Sequence, residues 1–167
     1  MSDVAICSDL LEHLLYDKHM NISTSAFANG APIPKKYTCD GEDINPTLSI
    51  SGVHPDAKSL VLIMDDPVAS VGTWIHWVVW NIHPRIAEIP EDSVPEDGIE
   101  GRTSFGKSGY GGPCPHQGTG THRYFFKLYE LDTLLNIPLT SDVVVVQEAM
   151  KGHVIGDAVA MGTYSRD

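Results

Sequence analysis

Basic residues are scarce in this chain. Its 167 residues include 11 Lys and Arg against 22 Asp and Glu, which gives a formal charge of −11 at neutral pH. No segment of the sequence gathers the basic residues into a cluster. Because nucleic acids and anionic lipid headgroups attract proteins through Lys and Arg, the sequence argues against nucleic-acid binding and against adhesion to anionic membrane surfaces.

A long hydrophobic run is also missing. Residues 1–19 are partly apolar, but they lack a basic start and acidic residues interrupt them, so they fit neither a secretory signal nor a membrane span. Ile6, Leu10 and Leu14 recur at helical spacing. We therefore expect residues 1–19 to form an N-terminal helical extension, with a frayed terminus as the alternative. Residues 20–167 have the length of a single domain, which we expect to be cytoplasmic.

Cysteine is rare, and its spacing is uninformative. Cys7, Cys39 and Cys114 are an odd number, and they lie too far apart for a zinc ribbon or a CxxC redox pair. The favoured interpretation is that all three are reduced thiols, as in most cytosolic proteins. A disulfide between Cys39 and Cys114 is the alternative, because both residues lie in loops that could meet.

Short apolar segments bounded by Gly and Pro dominate the rest of the chain. Residues 60–64 are continuously apolar, and residues 74–82 are apolar at odd and even positions alike, as in strands covered on both faces. Residues 141–153 have the Asp and Gly boundaries of a helix, while their four successive valines favour a strand. Residues 84–103 show no clear periodicity and suggest a surface connection. Many short strands and few helices predict two layers of antiparallel sheet.

Two histidines fall on strands that are otherwise apolar. Strict alternation along residues 74–82 places His76 on the same face as Trp80, and alternation from residue 122 onward places His122 and Tyr124 on a common face. An imidazole buried without a hydrogen-bond partner costs about 1–3 kcal/mol, so each histidine is expected to have a partner. Taken singly, each could be a satisfied core histidine.

Two sequence blocks give the most specific signal. The first reads DDP at 65–67 and GTWIHW at 72–77, and the second reads GTHRY at 120–124. In this order they resemble the signature blocks of the phosphatidylethanolamine-binding protein family, also called the Raf kinase inhibitor protein family, in its short bacterial and archaeal form. The resemblance implies a two-layer antiparallel Greek-key β-sandwich with one or two short helices. It also implies a homodimer and a cis peptide bond between Asp66 and Pro67.

The same resemblance implies a pocket for phosphate or a phosphorylated headgroup. Imidazolium and phenol groups donate hydrogen bonds to an oxyanion, and a carboxylate can orient a histidine ring. Nearby glycine N–H groups are expected to be free for the same purpose, at Gly111, Gly112, Gly118 and Gly120. The ligand-binding residues implied by the match are Asp66, His76, His122 and Tyr124 in the pocket and Trp74, Gly112 and Pro115 at its rim.

Together these features predict a non-enzymatic binding protein without a cofactor or a metal. Its ligand would be a phosphate-type anion or a phosphorylated small molecule, and its partner a protein kinase or protease that it modulates, as relatives do. The alternative is a metal-dependent or His/Asp phosphoester hydrolase, since two imidazoles and a carboxylate can bind a metal or transfer protons. The sequence contains no HExxH, GxSxG or P-loop motif, which disfavours that alternative. A third hypothesis is an oligomeric scaffold that assembles through residues 1–19 and exposed aromatic side chains.

Overall fold

The computed structural model describes residues 19–167. The helix expected over residues 1–19 therefore lies, apart from its last residue, outside the described part of the chain. The described part forms one α-helix, α1 (Val143–Met150), a 3-10 turn (Lys35–Tyr37) and eight strands: β1 (Asn21–Ser23), β2 (Leu48–Ser51), β3 (Ser59–Asp66), β4 (Trp74–Ile82), β5 (Glu88–Ile89), β6 (Ile99–Glu100), β7 (His122–Leu131) and β8 (Val154–Tyr164).

The strands form two sheets in which every ladder between named strands is antiparallel. The small sheet has the order β1-β2-β5, and the large sheet has the order β6-β4-β3-β7-β8. Strands β3 and β7 are neighbours although β4, β5 and β6 separate them in sequence. The predicted fold class, a two-layer antiparallel Greek-key β-sandwich, is confirmed. The prediction of a surface connection without clear periodicity at residues 84–103 is wrong in part, because β5 and β6 lie there and Ile89 is fully buried.

The main core fills the space between the two sheets, and a second apolar cluster covers the outer face of the large sheet. Helix α1 packs on that outer face through Val146 and Met150. Strand β3 is therefore buried along its whole length, as its continuous apolar run predicts. The helix, rather than the strand that four valines favour, forms at 143–150 because Asp142 caps it. The Asp142 carboxylate accepts hydrogen bonds from the N–H groups of Val144 and Val145.

Strand β4 does not alternate strictly. Met64 of β3 pairs with Trp77 and the next residue, Asp65, pairs with Ile75, so His76 is an extra residue in β4. This β-bulge separates His76 from Trp80, which packs in the outer cluster, and turns its ring towards Tyr124 of β7. The predicted placement of His76 on the face of Trp80 is thus wrong, because a bulge shifts every later side chain by one position.

Two covalent predictions are also wrong. Cys39 and Cys114 form a disulfide, with their Cα atoms 5.4 Å apart, so the favoured interpretation of reduced thiols fails for this pair and the alternative holds. No peptide bond within residues 19–167 is cis, so the bond between Asp66 and Pro67 is trans. Over the same residues, no helix has the length and apolar content needed to cross a bilayer.

Candidate functional site

A cavity of about 650 Å³ lies at one end of the large sheet. Because neighbouring strands run antiparallel, the end of β3 lies beside the start of β4 and near the start of β7. These three strand ends bring five of the predicted residues to the cavity: Asp66, Trp74, His76, His122 and Tyr124. Loops complete the wall with Val68, Val71, Phe105, Pro115 and Thr119, among others.

His122 and Asp66 form a buried pair. The Nδ1 atom of His122 lies 2.6 Å from Oδ2 of Asp66, and the other carboxylate oxygen of Asp66 accepts a hydrogen bond from the N–H group of Val68 at 2.9 Å. Asp66 is thereby fixed at both oxygens. It orients the imidazole ring so that Nδ1 faces the carboxylate and Nε2 faces the loop that carries Thr119.

Thr119 is the hydrogen-bond partner of His122 on the loop side of the cavity. Its hydroxyl donates to the carbonyl oxygen of His116 at 2.7 Å, and a carbonyl oxygen can only accept. The same hydroxyl oxygen lies 3.0 Å from Nε2 of His122, so Nε2 must be the donor there. In this arrangement Nε2 faces the Thr119 hydroxyl and Nδ1 faces the Asp66 carboxylate at 2.6 Å.

His76 has the opposite hydrogen-bonding character. Its Nδ1 atom lies 2.7 Å from the carbonyl oxygen of Gly111 and therefore donates to it. Burial lowers the pKa of His76, and the nearby Asp66 carboxylate and the bond to Gly111 only partly offset that effect. The ring is thus neutral near physiological pH, and its Nε2 atom carries a lone pair.

Tyr124 is the third polar group of the cavity. Burial raises the pKa of its phenol well above the ordinary value, so the hydroxyl keeps its proton at any physiological pH and can donate it. The ring packs edge-on against His76, with ring centroids 5.2 Å apart. Tyr124 therefore supplies a hydrogen-bond donor close to the neutral imidazole.

Aromatic rings form one wall of the cavity. Phe105 packs edge-on against both Trp74 and His76, with ring centroids 5.5 Å and 5.3 Å apart. Gly111 makes room for it, because a Cβ atom at this position would lie 2.5 Å from the Phe105 ring. The wall offers an apolar surface to the organic part of a ligand.

A second wall is tied to the body of the protein. Cys114, which lines the cavity, is joined by its disulfide to Cys39, next to the turn at Lys35–Tyr37. Arg166 holds the same loop from the chain end, because its carbonyl accepts from the N–H group of Gly118 and its side chain forms an ion pair with Asp40 at 2.9 Å. The loop that carries Pro115 and Thr119 is therefore anchored at both ends.

The structure brings together all the predicted site residues except one. Gly112 does not line the cavity that the described residues form, and its N–H group donates to Oδ1 of Asp43 at 2.7 Å. The expectation of free glycine N–H groups is also wrong at Gly111 and Gly118, which donate to the carbonyl oxygens of His76 and Arg166. The donors of this cavity are consequently side chains rather than a backbone nest.

Sequence reasoning missed several lining residues, chiefly Phe105, Thr119 and His116. Thr119 could have been found, since it directly precedes the block at 120–124 that carries His122. Phe105 gives no comparable signal, because it is one aromatic residue in a Gly-rich loop and reaches the site only through the fold.

Comparisons with known proteins show the family of this chain. A sequence model of the family described as phosphatidylethanolamine-binding protein matches residues 23–165. The chain belongs to the phosphatidylethanolamine-binding protein family. A UPF0098 protein of Pyrococcus horikoshii is 48% identical over 151 residues, which cover 86% of this chain and 75% of that protein.

Two solved structures of the phosphatidylethanolamine-binding protein family are similar to this chain. A homologue from Chlamydia trachomatis is 42% identical and superposes with a TM-score of 0.85, over 90% of this chain and 100% of the other. Escherichia coli YbcL, described as a new member of the mammalian PEBP family, is 26% identical with a TM-score of 0.83, over 89% and 99% of the two chains.

Proposed function

We propose that this chain is a non-enzymatic binding protein whose cavity holds a phosphate-type anion. The observation that carries the proposal is the buried His122 ring, fixed by Asp66 at 2.6 Å, whose Nε2–H group points to the loop side of the cavity. Thr119 is exposed, and we propose that a ligand oxygen takes its place at Nε2, with the His122 ring bound as an imidazolium. A charge-assisted bond of this kind is about twice as strong as a neutral one.

The local donors account for anion binding by an acidic protein. An imidazolium in contact with the ligand acts over a few ångströms, whereas the charges spread over the surface are screened beyond about 8–10 Å at physiological salt. Tyr124 adds a neutral hydrogen-bond donor. Because its phenol carries no charge, it needs no counterion in the cavity. The carboxylate of Asp66 is already paired with His122 and does not oppose the ligand as a free charge would.

The hydrolase alternative has less support from the geometry. Both oxygens of Asp66 are engaged, by His122 and by the N–H group of Val68, which fits a role in positioning the His122 ring. Among residues 19–167, no three His, Cys, Asp or Glu side chains lie close enough together to hold a metal ion. The residues of the cavity therefore favour binding over hydrolysis.

The finer role that we propose is modulation of a partner protein, with a phosphorylated group as the ligand. The family resemblance to Raf kinase inhibitor proteins supports a kinase or a protease as that partner. We also propose that the protein is a cytoplasmic homodimer in which residues 1–19 are an extension of the domain at 20–167. Light scattering on the full chain and on a chain without residues 1–19 tests the assembly.

The anion site is tested by calorimetry with phosphoethanolamine. Replacing His122 with Gln removes the cationic donor, and we expect the affinity to fall at least about tenfold, as for loss of a hydrogen bond to a charged group. His153→Gln is the matched control, because His153 also bonds a carboxylate, that of Asp132 at 2.8 Å, but lies on the exposed surface. Equal binding heats in the His122→Gln variant and the wild type would refute the anion site.

A further inference from the structure

The two histidines of the cavity require different hydrogen-bonding groups on a ligand. His122 presents an N–H donor at Nε2 once Thr119 has moved aside. His76 has its Nδ1–H group committed to the Gly111 carbonyl at 2.7 Å, so the same atom of its ring, Nε2, is an acceptor. A ligand that satisfies both rings must offer an acceptor to one and a donor to the other.

The lone pair of His76 is open to the cavity. The ring lines the cavity, and its hydrogen bond to the Gly111 carbonyl is made through Nδ1, which leaves Nε2 for a ligand. It is also not sealed in the protein, since the buried side-chain atoms without a partner in that part of the chain are Oδ1 of Asp65 and Nε1 of Trp80. A ligand that lacks a donor would leave Nε2 desolvated and unpaired, which disfavours its binding.

We propose that the cavity selects phosphate monoesters in their singly protonated state, with the P–OH group donating to His76 Nε2 and a charged oxygen accepting from His122 Nε2–H. This inference rests on the proposed function, because it assumes that the anion occupies the cavity. Phosphate monoesters suit the arrangement because their second pKa lies at about 6, so the required proton is available near neutrality. Sulfate monoesters and phosphodiesters carry no such proton.

The proton between the ligand and His76 is not easily carried by the His76 ring. The charged and titratable groups around its ring are the carboxylates of Asp66 and Asp43, the imidazole of His122 and the phenol of Tyr124. Both carboxylates favour a proton on His76, but burial outweighs them and lowers the pKa of the ring. Burial therefore works against a proton on His76, and we assign the bound proton to the phosphate oxygen that faces Nε2.

The apolar side of the cavity suggests the ester group. Trp74 and Phe105 form the aromatic wall, and Val68 and Val71 line the cavity while remaining exposed at its edge. A small aromatic or aliphatic substituent would cover these surfaces. Phenyl phosphate and phenyl sulfate are suitable probes, because they present the same ring and differ in the proton that the anion can hold.

The test is isothermal titration of the wild-type protein with both probes. At about pH 6, where about half of the phenyl phosphate is singly protonated, we expect it to bind at least about tenfold more tightly than phenyl sulfate. Titrations at about pH 8 in buffers of different ionisation enthalpy should show that phenyl phosphate takes up about one proton more per site than phenyl sulfate, because its free form at that pH is the dianion. Equal affinities, or tighter phosphate binding without the extra proton, would overturn the inference while leaving the anion site intact. Binding of neither probe would overturn the proposed function itself.

A variant and a third probe sharpen the result. In His76→Gln the amide can donate to either anion, so we expect the extra proton uptake to vanish and the two affinities to converge to within about threefold. His153→Gln should keep the wild-type discrimination. If His76→Gln is unfolded, the wild-type comparison alone decides. Glycerophosphoethanolamine represents a lipid headgroup; as a phosphodiester it should bind at least about tenfold more weakly than phenyl phosphate, and equal affinity would overturn the inference.

Discussion

The buried position of His76 couples folding to pH. In the folded protein, burial lowers the pKa of this imidazole below its ordinary value of about 6.5, whereas the unfolded chain exposes it to water. As the pH falls below that value, the unfolded chain takes up a proton that the folded protein binds less readily. Protonation thus favours the unfolded state in acid, and the stability of the protein falls as the pH falls.

Replacing His76 should therefore flatten the dependence of stability on pH. We expect wild type to lose more free energy of unfolding than His76→Gln between about pH 7.5 and about pH 5, because the other titrating groups are common to both proteins. Urea unfolding of both proteins at the two pH values measures the difference. A His76→Gln slope as steep as that of wild type would show that this ring does not resist protonation.

At the scale of elements, the site depends on irregularities that sequence patterns do not reveal. The continuous apolar runs of β3 and β4 predict buried strands, and the structure has them. The bulge at His76 cannot be seen in the pattern of apolar residues, because the side chains on both faces of the strand around it are apolar. Strict alternation consequently assigns His76 to the wrong face, although it identifies the strand.

The loop at 104–111 is the second irregular element of the site. Its Ser104 hydroxyl accepts from the N–H group of Ile75. Its Gly111 makes two hydrogen bonds with His76: the Gly111 carbonyl accepts from the ring Nδ1, and the Gly111 N–H group donates to the His76 carbonyl. The loop thereby follows the start of β4 and places Phe105 over Trp74. Gly111 is required because any side chain there would meet the Phe105 ring.

Gly111→Ala should displace Phe105 without unfolding the protein, since Phe105 is partly exposed and its ring can swing into solvent. The loss of one aromatic contact should weaken phenyl phosphate binding about 2- to 10-fold. Phe105→Ala is the matched variant and should lose the same amount, and the double variant should lose no more than either single one. Additive losses in calorimetry would mean that Gly111 acts on the ligand by another route.

At the scale of the whole molecule, the two sequence blocks predict most of the cavity because they carry its strand ends. Residues Asp66, His76, His122 and Tyr124 belong to those blocks, and antiparallel pairing of β3 with β4 and β7 brings them together. The cysteine pair lies outside the blocks, 75 residues apart in sequence, and nothing in its spacing favours pairing over reduced thiols. Only the folded chain brings the two loops into contact.

The disulfide joins the loop that lines the cavity to the turn after β1, and it closes a chain segment of 75 residues. In the loop-entropy description such a crosslink stabilises the folded state by up to about 4 kcal/mol, through the conformations that it denies to the unfolded chain. Disulfides are rare in reducing cytosol. The crosslink therefore favours an oxidising compartment, whereas the sequence predicts a cytoplasmic location. The redox state of Cys39 and Cys114 in cells therefore tests both the crosslink and the cytoplasmic location.

Thiols are counted by alkylating the protein at lysis and then denaturing it. Two fewer thiols should react than in the reduced protein, in which all three cysteines of the sequence react. The variant in which both Cys39 and Cys114 are Ser should lose about 2–4 kcal/mol of unfolding free energy, measured by urea unfolding without reductant. Wild type with reductant should approach the variant, and reductant should leave the variant unchanged. Full thiol reactivity at lysis, together with unaltered stability of the variant, would mean that the two loops are held by Arg166 and its contacts with Asp40 and Gly118 rather than by a covalent bond.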